Sequence, residues 1–219
     1  MNYHLIMLEI YRKIDSLLNS KEVIDLVEQI YSTNKNVFPK KINIFRSFEL
    51  IKNANLKVVI FGQDPYYQFG VADGLAFSSQ QHKTPASLKN IFKEIKNEYP
   101  NIINKSNDLS CWAKQGVLLL NTSLTVEENN PLSHSLLWEK VIDNVIKILN
   151  ESEEHLVFVL WGNNAKQIRS KINKNKHIIL SSAHPSPFSA NKGFFGNGHF
   201  KKINDHLRKQ NKNEIDWST

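Results

Sequence analysis

The sequence predicts an α/β fold: a three-layer α/β/α domain around a central four-stranded, mainly parallel sheet. Two observations carry that prediction. Four short runs, at 57 to 62, 117 to 121, 156 to 161 and 177 to 181, are nearly continuous in apolar character, as expected of strands covered on both faces. Segments with helical periodicity alternate with them, around 86 to 98, 135 to 150 and 165 to 172, with a last one near 199 to 209. Parallel neighbours need long crossover connections, and helices are the usual ones. With 219 residues and 41% hydrophobic content the chain can bury one substantial core, so residues 1–219 are read as one domain.

Taken in order, residues 3 to 31 come first. Leu5, Leu8, Ile10, Ile14, Leu17 and Leu18, then Val23, Leu26, Val27 and Ile30, recur at helical spacing and predict two helices split near Asn19-Ser20. Residues 1–36 are therefore read as helical scaffold. A loop containing Pro39 leads to the first strand, and no internal repeat, low-complexity tract or linker interrupts the chain. No stretch approaches the roughly 18 apolar residues needed to span a bilayer. The N-terminus lacks the basic flank and cleavage site of a signal peptide, so a cytoplasmic protein with no membrane partner is expected, most simply a bacterial one.

Charge and cysteine content narrow the field further. The formal charge of +7, from 28 basic and 21 acidic residues, favours a polyanionic partner or an anionic membrane surface. Much of the excess is Lys amid Asn and Ile, a bias that base composition can produce, so the charge alone reads as a solvated basic surface. The single cysteine, Cys111, excludes an intramolecular disulfide and any Cys-based zinc cluster, and reads as a core filler. No metal site and no cofactor are expected.

In open parallel sheets ligands bind outside the carboxyl ends of the strands. The first strand runs into Gly62-Gln63-Asp64-Pro65-Tyr66 and the second ends at Asn121. The third leads to Trp161-Gly162-Asn163 and the fourth to His184-Pro185-Ser186-Pro187-Phe188. Each motif has a dull explanation by itself: Asp-Pro is a turn signal, a strand-end Asn often caps, and Pro-Ser-Pro can be a rigid loop. Their joint placement is less easily dismissed, because it brings carboxylate, carboxamide and imidazole to one edge.

Five motifs then make a resemblance specific: GQDPY at 62 to 66, GLAFS at 74 to 78, GVLLLN at 116 to 121, LWG at 160 to 162, and HPSP with FSA at 184 to 190. Together they resemble family 1 uracil-DNA glycosylase, over a span from about Val37 to Trp217. The resemblance implies excision of uracil from single- or double-stranded DNA by a monomer that needs no nucleotide cofactor, and it leaves room for a DNA-mimicking protein inhibitor. It implies Asp64 and His184 as catalytic residues, the first facing the sugar cation and its water, the second donating from a neutral ring to uracil O2. Gln63, Tyr66, Phe77 and Asn121 would hold the base. Ser87, Gly162, Asn163, Pro185, Ser186, Pro187, Phe188 and Ser189 would contact DNA, with Phe188 in the place of the family's wedge leucine.

The residues suit that chemistry. A base inside a duplex must be extruded, at a cost of a few kcal/mol, before a pocket can hold it. An aromatic face such as Phe77 grips any base, whereas a carboxamide such as Asn121 matches uracil N3–H and O4 and mismatches cytosine. Two departures from the family pattern stand out: Tyr67 follows GQDPY where a histidine is usual, and Asp73 stands where another histidine is common. Asp73 adds negative charge near the phosphate path unless it points inward to a donor. Two other readings compete. A weak relative that only holds uracil-containing DNA would bind without releasing base. A nucleotide-binding α/β enzyme would need a G-x-G-x-x-G or P-loop turn after the first strand, and none is there.

Overall fold

The computed structural model describes residues 3–151 and 155–219, and the side chain of Leu5 lies outside the described residues. The chain opens with α1 (Tyr3–Leu18) and α2 (Lys21–Tyr31). The break between them falls where Ser20 caps α2 by accepting from Val23 N. There follow β1 (Val37–Phe38), α3 (Arg46–Ile51), β2 (Val58–Gly62), α4 (Ala86–Glu98), α5 (Ser110–Ala113), β3 (Val117–Asn121) and β4 (Val126–Glu127). The last elements are α6 (Ser135–Glu151), β5 (Val157–Trp161), α7 (Asn163–Gln167), β6 (Ile178–Ser182) and α8 (His199–Lys209).

The central sheet has the order β3-β2-β5-β6 and is parallel throughout. Strand periodicity assigns its side chains to two layers. Val59, Phe61, Leu118, Leu120, Phe158 and Leu160 pack against α1, α2, α3 and α6, where Phe48, Trp138 and Val145 complete the layer. Val58, Ile60, Leu119, Val159 and Trp161 face the other way, onto Leu88 and Ile91 of α4, Trp112 of α5, and Phe200 and Ile203 of α8. Each such side chain stabilises the fold by about 1.5–3 kcal/mol relative to exposure. The three-layer α/β/α architecture expected from the sequence is the one observed.

Three expectations need correction. β6 is an edge strand and only partly covered: Ile178 at its start is exposed, while Ile179 and Leu180 are half-buried against the two opposite layers. It also begins one residue later than expected, because His177 N closes a turn onto Asn173 O. The helix expected at 165 to 172 starts at Asn163 and gives way to a 3-10 turn, Ile168–Lys171. The antiparallel pair β1 and β4 and the short helices α3 and α5 went unpredicted, being too brief for periodicity to register. Cys111 is half-buried, and burial pushes its thiol pKa up, consistent with packing rather than reactivity. Among the described residues no helix is long and apolar enough to cross a membrane, and no group of three or more His, Cys, Asp or Glu is placed to hold a metal ion.

Candidate active site

The shared polarity of the four strands gathers their carboxyl ends on one edge. There Gly62, last in β2, lies in register with Asn121, last in β3. A Cβ on Gly62 would stand 2.2 Å from Asn121 Oδ1, so glycine is what leaves space for the carboxamide across the strand end. Asn121 is 8% exposed, and among the described residues no group hydrogen-bonds its side chain. Leaving the polar group of a nearly buried side chain unmatched costs about 1–3 kcal/mol once water is excluded, so a ligand able to pair with this carboxamide has that much to gain.

After Gly62 the chain turns through Gln63 and Asp64. Gln63 O accepts from Thr122 Oγ1 at 2.8 Å and from Ser123 N at 3.0 Å, which fastens this turn to the one leaving β3. Gln63 Nε2 donates to Asp64 Oδ1 at 3.0 Å, while its Oε1 accepts from Asn164 Nδ2 of α7 at 2.5 Å. Asp64 Oδ2 accepts from Leu132 N at 2.7 Å, so the carboxylate is aimed from two sides. Leu132 itself has a left-handed backbone, φ 67°. Burial pushes the Asp64 pKa up, and the Leu132 N–H, the Gln63 amide and its own main-chain N–H pull it back down.

Tyr66 and Phe77 form a second pair. The Tyr66 hydroxyl donates to Phe77 O at 3.0 Å, and burial, reinforced by the nearby Asp73 carboxylate, raises its pKa. Phe77 carries φ 66°, uncommon for a non-glycine residue, and its ring stands 5.5 Å from that of Trp161 and 5.7 Å from that of His184. Asp73 points inward, to Arg46 at 2.8 Å and Ser78 at 2.7 Å, so its charge is paired inside the fold. The Tyr67 carbonyl receives Asn129 N at 3.1 Å.

His184 follows β6 and packs over Gly162, where a Cβ would fall 2.9 Å from the histidine Cβ. Its Nδ1 accepts from Ser186 N at 3.0 Å, which puts the proton of the neutral ring on Nε2. Burial lowers the His184 pKa, in the direction of that neutral form. The loop beyond is internally braced: Ser189 Oγ donates to His184 O at 2.9 Å, Ser186 and Ser189 hydroxyls share a 3.1 Å hydrogen bond, and Asn90 Nδ2 of α4 holds Pro185 O at 2.8 Å. At its tip Pro187 is exposed and the Phe188 side chain is 90% exposed.

Direct contacts join Gln63 to Asp64, and Tyr66 to Phe77, Phe77 to His184 and His184 to Gly162, while Asn121 abuts Gly62 across the strand ends. Ser87 and Asn163 stand apart, in the first turns of α4 and α7, and Asn163 is exposed. Gly162 is buried and its N–H is already donated to Ser182 O at 3.1 Å, so its offering to the site is the turn at φ 91° that makes room for His184. Leu132, Asn164, Asn90 and Arg46 escaped the sequence reading. The first acts through a main-chain N–H, which no side-chain pattern can announce. The other three are ordinary polar residues whose partners are distant in sequence.

Fold and site together define a parallel α/β protein whose polar working edge lies at the carboxyl ends of its strands. A family model described as the uracil DNA glycosylase superfamily matches residues 48–208. The chain is 50% identical over 186 residues to the uracil-DNA glycosylase of Mycoplasmopsis pulmonis, covering 84% of each chain. To that of Fusobacterium nucleatum it is 49% identical over 195 residues, covering 88% of this chain and 86% of the relative. A solved mimivirus UNG variant in complex with UGI superposes with a TM-score of 0.81 at 27% identity, covering 94% of this chain and 90% of that one. The chain belongs to the uracil DNA glycosylase superfamily.

Proposed function

We propose that this protein is a monofunctional, family 1 uracil-DNA glycosylase, which hydrolyses the N-glycosidic bond of uracil in DNA and leaves an abasic site for base excision repair. The observation that carries this reading is the Asn121 carboxamide, 8% exposed, without a hydrogen-bond partner among the described residues and given room by Gly62. Uracil supplies what it lacks: N3–H for the carboxamide oxygen and O4 for its N–H groups. Cytosine presents the opposite pattern and would leave buried polar groups unpaired, which is the stronger form of discrimination. The Phe77 ring stacks on the extruded base, and the Tyr66 ring stands where a thymine methyl would intrude.

In the reaction, the C1′–N1 bond breaks and the sugar takes on oxocarbenium character while negative charge develops on uracil. Asp64 faces the sugar and positions the attacking water, whose oxygen bonds to C1′ as its proton passes to the Asp64 carboxylate, and uracil, departing as an anion, takes up a proton in its turn. Nε2–H of neutral His184 donates to uracil O2, where a preorganised donor is worth more inside the pocket than in water. Every role in this scheme falls to a side chain or main-chain group of the protein itself.

Both single- and double-stranded DNA are substrates in this reading. Ser87, Asn163, Ser186 and Ser189 contact phosphates, Pro185 and Pro187 stiffen the loop, and Phe188 enters the space that the base vacates. Such phosphate contacts position the strand without reading its sequence. The protein acts as a monomer in the bacterial cytoplasm, with residues 1–219 as one functional domain, and a DNA-mimicking inhibitor would cover the same edge. Incubating the purified protein with uracil-containing single-stranded and duplex DNA, then quantifying free uracil and abasic sites, tests the reading. Tight binding without release of base would replace it with that of a binding module.

A further inference from the structure

We propose that the ion pair of Arg46 with the buried Asp73 carboxylate is a positioning device for the base-stacking ring, setting through Phe77 how tightly the pocket grips uracil. The inference rests on the reading of Phe77 as the stacking face. Asp73 is 3% exposed, and both of its carboxylate oxygens are engaged. Oδ1 accepts from Leu75 N at 3.1 Å, and Oδ2 accepts from Ser78 Oγ at 2.7 Å and pairs with Arg46 Nη1 at 2.8 Å. Arg46 Nη1 also donates to the Asp73 carbonyl at 3.2 Å, and Nη2 grips both oxygens of Asp108, at 3.1 and 2.9 Å. The Ser78 hydroxyl in turn accepts from Leu109 N at 3.0 Å.

One carboxylate thus fastens the 73 to 78 segment at both ends. Between those anchors the backbone is twice left-handed, at Gly74 (φ 93°) and Phe77 (φ 66°). Glycine adopts such a φ freely, but phenylalanine resists it and holds it only where the surroundings over-determine the conformation. The turn also passes hard against the chain before α3, since a Cβ on Gly74 would meet Asn43 O at 2.0 Å. Arg46 and Asp73 contact neither Asn121 nor His184, so their influence on the base runs through Phe77 and through Tyr66, whose hydroxyl donates to the Phe77 carbonyl and feels the Asp73 charge.

The test compares Asp73→Asn with wild type in four measurements: melting temperature, kcat and KM on uracil-containing single strands, inhibition by free uracil, and affinity for an abasic-site oligonucleotide. In the folded variant the uracil inhibition constant should rise by about tenfold, as partial loss of a stacking contact would give, with KM rising more than kcat falls. Affinity for the abasic oligonucleotide, which has no base to stack, should stay within about twofold, and Arg46→Lys, which keeps the charge but not the fork, should weaken uracil inhibition by less than Asp73→Asn does. Should Asp73→Asn not fold, Ser78→Ala removes one anchor, keeps the ion pair, and should weaken uracil inhibition by about threefold. Unchanged uracil inhibition in a folded variant, or equal losses for uracil and for abasic DNA, would overturn the inference. A wild-type protein that releases no uracil sinks the proposed function instead, so the two failures are distinguishable.

Discussion

Substituting Gly62 by alanine offers a sharp test of how the base pocket is built. The new methyl would lie 2.2 Å from Asn121 Oδ1, whereas ordinary van der Waals contact begins near 3.4 Å, so the carboxamide oxygen must retreat by about 1 Å. Overpacking of this kind destabilises a core by about 1–3 kcal/mol, an effect readable in urea unfolding. The functional penalty is separate. An amide turned off its axis loses at least one hydrogen bond to uracil and leaves a buried group unpaired, at about 1–3 kcal/mol, or a drop of roughly 5- to 160-fold in kcat/KM.

A double-mutant cycle tells this apart from general damage. With Asn121 already replaced by alanine, the next obstacle to the methyl is Ala76 Cβ at 3.2 Å, which needs only a few tenths of an ångström of give. Gly62→Ala should then cost less than about threefold, because the two substitutions remove the same interaction. Uracil release from single-stranded DNA is the assay, since it leaves duplex opening out of the comparison. Full activity in Gly62→Ala, or an undiminished penalty in the Asn121→Ala background, would refute the account of the pocket.

Asp64→Asn should lower turnover by at least about tenfold, or roughly 1.4 kcal/mol of barrier, while binding of uracil-containing DNA stays largely intact; unchanged turnover removes Asp64 from the mechanism. Because burial raises the Asp64 pKa, the acid limb of kcat/KM should lie above the ordinary carboxylate value of 3.8 and should vanish from the residual activity of Asp64→Asn. Phe188→Ala should impair duplex substrates more than single strands, since an unpaired base needs less help to leave its stack, and equal losses would argue against a wedge. His199, whose Nδ1 accepts from Trp161 Nε1 at 3.0 Å, has its pKa lowered by burial to about 4. Its neutral form therefore contributes stability that is fully present above the unfolded value of 6.5 and is lost as pH falls toward 4, amounting to about 3 kcal/mol at most. Urea unfolding at several pH values should find that slope flattened in His199→Asn, and a slope unaltered by the substitution would exclude His199 as its source.

What could be read from the sequence was whatever depends on side-chain type and local pattern. The runs at 57 to 62 and 117 to 121 are apolar on both faces, and β2 and β3 are indeed buried from end to end. Asp64, Asn121 and His184 announce themselves because a carboxylate, a carboxamide and an imidazole each stand at or just beyond the end of an apolar run. What could not be read is the orientation of those groups, which depends on contacts across long sequence separations. Leu132 N reaches Asp64 across 68 residues, Asn164 reaches Gln63 across 101, and Asn90 reaches Pro185 across 95. Asp73 illustrates the same limit: its type suggests a charge beside the phosphate path, and only the fold reveals Arg46 behind it.

Those long-range contacts also decide the electrostatic character of the site. Burial acts on Asp64 and His184 in opposite senses, raising one pKa and lowering the other, and in both it favours the uncharged form. What keeps Asp64 available as an anion is a set of neutral donors, Leu132 N–H, Gln63 Nε2 and its own N–H; among the described residues no cation comes within salt-bridge distance. Asp73, by contrast, is paired directly with Arg46. The difference matters for the proposed reaction. A carboxylate neutralised by arginine has little field left for a reacting sugar, whereas one steadied by neutral dipoles in a pocket of low dielectric retains most of its attraction for a developing cation. On this reasoning the main-chain amide of Leu132, held by an uncommon backbone conformation, serves the chemistry better than a basic side chain in its place.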